Sequence, residues 1–261
     1  MVQPEPRPPK KRLGQHFLVD PNTARIVARG VDENDVVLEV GPGRGALTTV
    51  LAGQARLVHA VELDPDALPS LQEALEPHRN VLVYEGDALD FDYGALDPRP
   101  NKLVANLPYN VASPLVLKLL EEADFLAELR FMVQLEVARR MAAERRTKDY
   151  GAYAVLVQLL AEVRLAHRVS PRVFDPPPRV WSAIVALERR RVDREDYERA
   201  KTLVLAAFKS RRKRLANNLS EVPREVTSFA LRELGYGPDV RAEELRPEDF
   251  VALSRLLPGA V

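Results

Sequence analysis

Cysteine is absent from this 261-residue chain, and that removes several chemistries at once. There can be no disulfide, no thiolate zinc site and no iron–sulfur cluster. Methylation at C5 of a pyrimidine by the usual route is excluded too, because it needs a cysteine nucleophile. The four histidines, His16, His59, His78 and His167, show no ligand spacing, so no metal is expected. No apolar run approaches the ~18 residues of a membrane span. Residues 1–12 are proline-rich and basic without an apolar h-region, which reads against a secretory signal. The cytoplasm is the expected compartment, and a monomer the default state. A surplus of positive charge is also missing, since the formal net charge is +0.

The distribution of charge says more than its sum. Residues 31–100 hold 14 acidic and 4 basic residues, whereas residues 201–220 hold 6 basic and no acidic ones. Basic clusters also stand at Lys10-Lys11-Arg12 and around Arg139–Lys148. Such polarity suits a surface that meets phosphate. With 46% apolar and 29% charged residues, the composition is that of a globular protein with one large domain and room for a small one.

Strand-like runs alternate with helical patterns over the first two thirds. Val36–Val40, Leu57–Val61, Val81–Tyr84, Lys102–Ala105 and Leu129–Val133 read as strands. Helical patterns fall at about 46–52, 66–76, 114–122 and 136–144. This alternation predicts an α/β fold, a mostly parallel sheet with helices on both faces. Gly41, Glu62, Asp87 and Asn106 each follow a strand, so they should converge at the carboxyl edge, where such sheets bind ligands. Beyond Arg191 only helical segments remain, at 197–209, 212–219, 224–234 and 247–257. The expected layout is a tail over 1–9, a cofactor-binding catalytic domain over 10–191 and a helical domain over 192–261.

Glu39-Val40-Gly41-Pro42-Gly43-Arg44-Gly45 follows the first of these strands, and glycines there let the backbone turn tightly against a ligand. Glu62 lies 21 residues after Gly41, where an acidic group meets ribose hydroxyls in nucleotide-binding sheets. Asp87 is placed to accept from an adenine amine. A nicotinamide dinucleotide and S-adenosylmethionine (AdoMet) both present adenosine to this geometry. The Glu-x-Gly-x-Gly-x-Gly spelling favours AdoMet, with Gly41 and Gly43 at the cofactor.

Asn106-Leu107-Pro108-Tyr109 has no counterpart in dehydrogenases. A side-chain amide oxygen, a proline-stiffened turn and an aromatic ring can grip a flat base bearing an NH2 group. Its lone pair is conjugated with the ring, so an adenine N6 amine needs both N–H groups held before it attacks a methyl group. The Asn106 amide oxygen and the Leu107 carbonyl are the natural acceptors; Pro108 aims the carbonyl and Tyr109 offers a stacking face. A base inside a helix cannot reach such a pocket, so the target must be flipped or unpaired. Phe174, before Asp175-Pro176-Pro177-Pro178, is a second candidate stacker.

Five stretches together resemble one family: Arg12–Leu18, Glu39–Gly45, Asn106–Asn110, Phe174–Val180, and Phe208–Lys213 running to Asn217-Asn218-Leu219. The chain is similar to the bacterial small-subunit ribosomal RNA adenine N6,N6-dimethyltransferases of the kasugamycin-sensitivity type. The resemblance implies four methyl transfers from AdoMet to two adjacent adenines near the 3′ end of 16S rRNA, late in small-subunit biogenesis. It places cofactor contacts on His16, Leu18, Gly41, Glu62, Asp87 and Asn106, and makes residues 15–18 a lid. One departure is His16, where many members carry Asn; imidazole still offers a hydrogen bond. RNA phosphates would be gripped by a basic helix bearing Lys209, Arg211, Arg212, Lys213 and Arg214. The rival readings are a large-subunit rRNA adenine methyltransferase of the antibiotic-resistance type, an assembly checkpoint acting mainly by binding, and a DNA adenine methyltransferase.

Overall fold

The computed structural model describes residues 15–257. The tail expected over 1–9, and the start of the Arg12–Leu18 stretch, lie outside them. In chain order the elements are β1 (Phe17–Leu18), α1 (Pro21–Val27), β2 (Val36–Val40), α2 (Thr48–Ala52), β3 (Leu57–Glu62), α3 (Leu68–Leu75), β4 (Val81–Glu85) and β5 (Lys102–Asn106). Next come α4 (Ala112–Glu122), β6 (Glu128–Gln134), α5 (Leu135–Met141), α6 (Ala152–Leu160), β7 (Ala161–Val169), β8 (Phe174–Asp175) and β9 (Ser182–Arg189). The chain ends in α7 (Arg194–Ala207), α8 (Leu215–Asn218), α9 (Arg224–Glu233) and α10 (Pro247–Leu256).

Contacts divide the described residues into two units, 15–138 with 164–189, and 139–163 with 190–257. The last of these divisions falls between Arg189 and Arg190. Residues 139–163 differ, grouping with the helical unit because α6 lies against α7 and α10.

The first unit is built on a seven-stranded sheet in the order β4-β3-β2-β5-β6-β9-β7. β2 pairs in parallel with β3 and β5, β3 with β4, and β5 with β6. β2 reads Val-Val-Leu-Glu-Val and all five residues are buried, as a central parallel strand covered on both faces requires. Its central Leu38 and flanking Val37 are fully buried, each worth about 1.5–3 kcal/mol of transfer free energy. Strand order reverses between β2 and β5, which makes their carboxyl ends a topological switch point. Gly41 and Asn106 therefore stand side by side although 65 positions separate them.

Two features of this unit were not anticipated. β9 runs antiparallel to β6, with Gln134 opposite Ser182, and closes the sheet together with β7. β1 and β8 form a separate antiparallel pair, Phe17 opposite Asp175 and Leu18 opposite Phe174. Local chemistry explains the ends of other elements. Asp20 caps α1 by accepting from Thr23 N at 2.7 Å, with Pro21 in the first turn. At the other end of α4, the Arg189 guanidinium donates to the carbonyls of Leu119, Leu120 and Ala123, which a helix terminus otherwise leaves unpaired.

The second unit is helical, with Tyr150, Tyr197 and Phe250 fully buried. The Tyr150 hydroxyl donates to Leu245 O at 2.9 Å, and the Phe208 ring lies 6.2 Å from that of Tyr150 and 5.9 Å from that of Phe250. The helix expected from 212 is shorter, starting at Leu215. Lys209, Arg211, Arg212 and Lys213 occupy the turn between α7 and α8, and Arg214 is the cap of α8. The basic helix is thus corrected to a basic turn. The Asn218 side chain donates to Ala207 O and Ser210 O at 2.6 and 2.9 Å, which satisfies the carbonyls at the end of α7 and holds the following segment as a turn.

Candidate active site

At the switch point lies a cavity of about 210 Å³, room for an organic ligand rather than a few waters. The glycine loop forms one wall. Gly41, Gly43 and Gly45 all adopt left-handed φ angles, +71°, +56° and +85°, which side chains rarely tolerate. A Cβ on Gly41 would stand 3.2 Å from Pro108 Cγ, and one on Gly43 3.0 Å from Phe17 Cδ1. The loop is therefore held between the clamp on one side and β1 on the other.

Glu62 locks the loop from beneath. Its Oε2 accepts from Gly43 N at 2.9 Å and its Oε1 from Asp64 N at 2.8 Å. Each oxygen keeps a second lone pair for a hydroxyl of a bound ligand. Burial raises the Glu62 carboxyl above its ordinary range, opposed by these backbone hydrogen bonds. Asp87 is exposed at the cavity's edge, with Oδ1 accepting from Leu89 N at 2.9 Å.

Glu39 was read only as part of a spelling, yet it lines the cavity and is 1% exposed. Burial pushes its carboxyl up to about 8. No described residue reaches its Oε2. An acid in the middle of an otherwise apolar strand was the available signal.

The clamp leaves β5 at Asn106. Leu107 N donates to Met132 O at 3.1 Å, and Pro108 O accepts from Val111 N and Ala112 N at 3.2 and 3.1 Å, so the turn is fixed into α4. Asn106 Nδ2 donates to His16 O at 3.3 Å. Its Oδ1 is buried in the cavity wall, and no donor among the described residues reaches it. A buried acceptor without a donor costs about 1–3 kcal/mol, so a site that keeps one is built for an incoming N–H.

The Tyr109 hydroxyl and Ser182 Oγ lie 2.5 Å apart, joining the clamp ring to β9. Burial raises the Tyr109 phenol above its ordinary value, so it stays neutral at physiological pH. The His16 ring tilts against Tyr109 at 5.4 Å. His16 Nδ1 sits 2.7 Å from Pro176 O; a carbonyl only accepts, so Nδ1 carries a hydrogen. Leu18 is buried beside it, and Arg44 covers the Phe17 ring at 4.3 Å.

His16, Leu18, Gly41, Gly43 and Glu62 thus line one cavity with Asp87, Asn106, Leu107, Pro108 and Tyr109. Phe174 is the exception and is corrected. Its ring is 3% exposed among Leu18, Val169 and Ile184, and it does not line the cavity. Pairing of β8 with β1 turns that side chain into the core, so it supports Leu18 rather than facing a base. Ser182 was missed altogether, because only the fold brings it to Tyr109 across 73 positions. The basic residues are also less free than their sequence suggests. Arg211 donates to Lys148 O at 2.7 Å and pairs with Glu243 at 3.0 Å, and Arg214 pairs with Asp239 at 3.0 Å.

Comparison with known proteins gives concordant results. The family model described as ribosomal RNA adenine dimethylase matches residues 8–258. A protein of Rubrobacter xylanophilus called ribosomal RNA small subunit methyltransferase A is 68% identical over 247 residues, 95% of this chain and 94% of its own. Its namesake in Neisseria gonorrhoeae is 38% identical over 253 residues, 95% and 96% of the two chains. Among solved structures, a dimethyladenosine transferase from Plasmodium falciparum is 26% identical with a TM-score of 0.79, over 91% of this chain and 96% of that one. The 23S rRNA methyltransferase ErmE is 33% identical with a TM-score of 0.71, over 92% and 99%.

Sheet, glycine cradle and amide turn therefore belong to an AdoMet-dependent methyltransferase, an enzyme acting on ribosomal RNA. Within that class, the chain belongs to the ribosomal RNA adenine dimethylase family. Among the described residues, no helix is long and apolar enough to cross a membrane, and no group of side chains could hold a metal ion.

Proposed function

We propose that the enzyme dimethylates N6 of two adjacent adenines near the 3′ end of 16S rRNA, late in small-subunit assembly. One observation carries the base chemistry, the buried Asn106 Oδ1 that no donor among the described residues reaches. With its amide nitrogen tied to His16 O, Asn106 presents its oxygen to the cavity. That oxygen accepts one N–H of the adenine amine and the Leu107 carbonyl accepts the other. The nitrogen lone pair is then freed from the ring and given one direction. Tyr109, held by Ser182, supports the face of the base. Catalysis here is positioning and fixed dipoles rather than strong base chemistry.

The cavity fits AdoMet, since a Cβ at Gly41 or Gly43 would fill the cradle and acidic groups line the wall. Gly41 and Gly43 would meet the cofactor through backbone, Glu62 and Asp87 through carboxylates, and His16 and Leu18 from above. AdoMet supplies an electrophilic methyl group on a positively charged sulfur. The choice of the small subunit is supported by the names of relatives at 68% and 38% identity, because the fold itself is shared with a 23S rRNA enzyme. Lys209, Arg212 and Lys213 in the α7–α8 turn would meet rRNA phosphates. The enzyme would work in the cytoplasm as a monomer.

Purified small and large subunits incubated with methyl-labelled AdoMet test the reading. Label should enter 16S rRNA and map by mass to dimethyladenines. Label confined to 23S rRNA would overturn it.

A further inference from the structure

Trp181 is the only tryptophan in the chain, and it is 47% exposed. Large aromatic rings are left in water at a cost, so an exposed one on rigid backbone calls for an explanation. The backbone here is rigid. Trp181 O accepts from Leu135 N at 2.9 Å, and the next residue, Ser182, stands in the β6–β9 ladder opposite Gln134. Ser182 Oγ is also the atom that meets the Tyr109 hydroxyl. β9 is antiparallel to β6, so its first residues lie at the sheet's carboxyl edge, the edge that carries the clamp. Trp181 is thus one residue removed from the brace of the base-holding ring.

The surroundings are cationic. The Arg168 guanidinium lies 5.2 Å from the centre of the Trp181 ring. Arg168 and Arg179 are exposed, and neither has a carboxylate partner among the described residues. Arg164, on the same strand as Arg168, is instead tied to Glu188. The Arg168 charge beside the indole, and that of Arg179 two positions before Trp181 in the sequence, are therefore left for something else. A half-exposed aromatic ring with a guanidinium beside it is the chemistry that holds unpaired bases, the ring by stacking and the cation by phosphate and cation–π attraction.

We propose that Trp181, backed by Arg168 and with Arg179 two positions before it in the chain, is a stacking platform for an unpaired rRNA nucleotide neighbouring the target adenine. It rests on the rRNA reading given above and adds a second base-holding position to it. With two adjacent targets, a platform at the same sheet edge would hold one base while its neighbour is in the clamp.

Intrinsic fluorescence tests this directly because the signal has a single source. The full-length protein with S-adenosylhomocysteine is titrated with a synthetic RNA hairpin carrying an unpaired adenine pair, and with a fully paired duplex of equal length. The hairpin should quench the emission and the duplex should not. Both variants lose the fluorophore, so their hairpin affinity is read by calorimetry: Trp181→Ala should weaken binding about tenfold, the size of one lost stack, while Trp181→Phe should stay within about threefold. Unchanged calorimetric binding of S-adenosylhomocysteine by both variants is the check that they are folded. Equal quenching by the duplex, no quenching at all, or unchanged affinity in Trp181→Ala would each overturn the platform. These outcomes are separable from the parent reading. A wild-type protein that quenches with the hairpin but labels no 16S rRNA sinks the function and leaves the platform standing.

Discussion

The side-chain amide of Asn106 donates to the main-chain carbonyl of His16, 90 positions earlier in the chain. That bond decides which end of the amide faces the cavity, because nitrogen is committed and oxygen is left over. The segment that carries His16 therefore orients the group proposed to receive the substrate amine.

Asn106→Ala should lower kcat by about a hundredfold or more, the usual cost of one preorganised hydrogen-bonding group. Affinity for S-adenosylhomocysteine, read by calorimetry, should change far less. A variant that keeps wild-type methylation of purified small subunits would remove Asn106 from the chemistry.

Gly43→Ala combines a left-handed φ of +56° with a Cβ 3.0 Å from Phe17. The conformation alone costs about 1–2 kcal/mol, so the melting temperature should fall and cofactor affinity with it. Gly43→Ala paired with Phe17→Ala should recover less than the full loss, since relieving the contact leaves the backbone strained. Complete recovery would show that the collision alone was responsible.

Glu39 links stability to pH. In the folded chain burial holds its proton up to about 8, whereas the unfolded chain releases it near the ordinary 4.5. Between those values the folded state binds more protons, so this group's stabilising contribution is full below 4.5 and is lost as pH rises through about 8. Glu39→Gln should flatten the fall in melting temperature across that window. An unchanged slope would show that Glu39 ionises normally.

The basic turn should separate into structural and binding members. Arg211→Ala removes bonds to Lys148 O and Glu243 and should cost about 1 kcal/mol of stability, discounted for exposure. Arg212→Ala should leave melting unchanged but weaken RNA binding and reduce the salt slope by about one. Identical salt series for wild type and Arg212→Ala would take that residue out of the interface.

Much of the first unit was legible because its strands are short β-branched runs that stop at glycine or an acid. β2 was read to the residue, and β3 to β6 to within one or two positions. β7 was hidden, since Glu162, Arg164, His167 and Arg168 give it no apolar run. Contacts between distant segments were the other blind spot. His16 to Pro176 and Tyr109 to Ser182 depend on β1, β8 and β9, and no local pattern announces them. Phe174 shows the converse, for a proline-rich flank suggested a presented ring and the β1–β8 pair buried it. The turn around Arg211 looked free of acids only because Asp239 and Glu243 approach from elsewhere in the sequence.

The reversal of strand order between β2 and β5 has a consequence for how such enzymes diversify. Groups suited to the methyl donor hang from β2, β3 and β4, while those suited to the acceptor hang from β5 and are steadied from β9. On the proposed assignment, each reactant would be managed by its own half of one sheet. Changes in the acceptor half can redirect the enzyme to another nucleotide while the donor half goes on working as before.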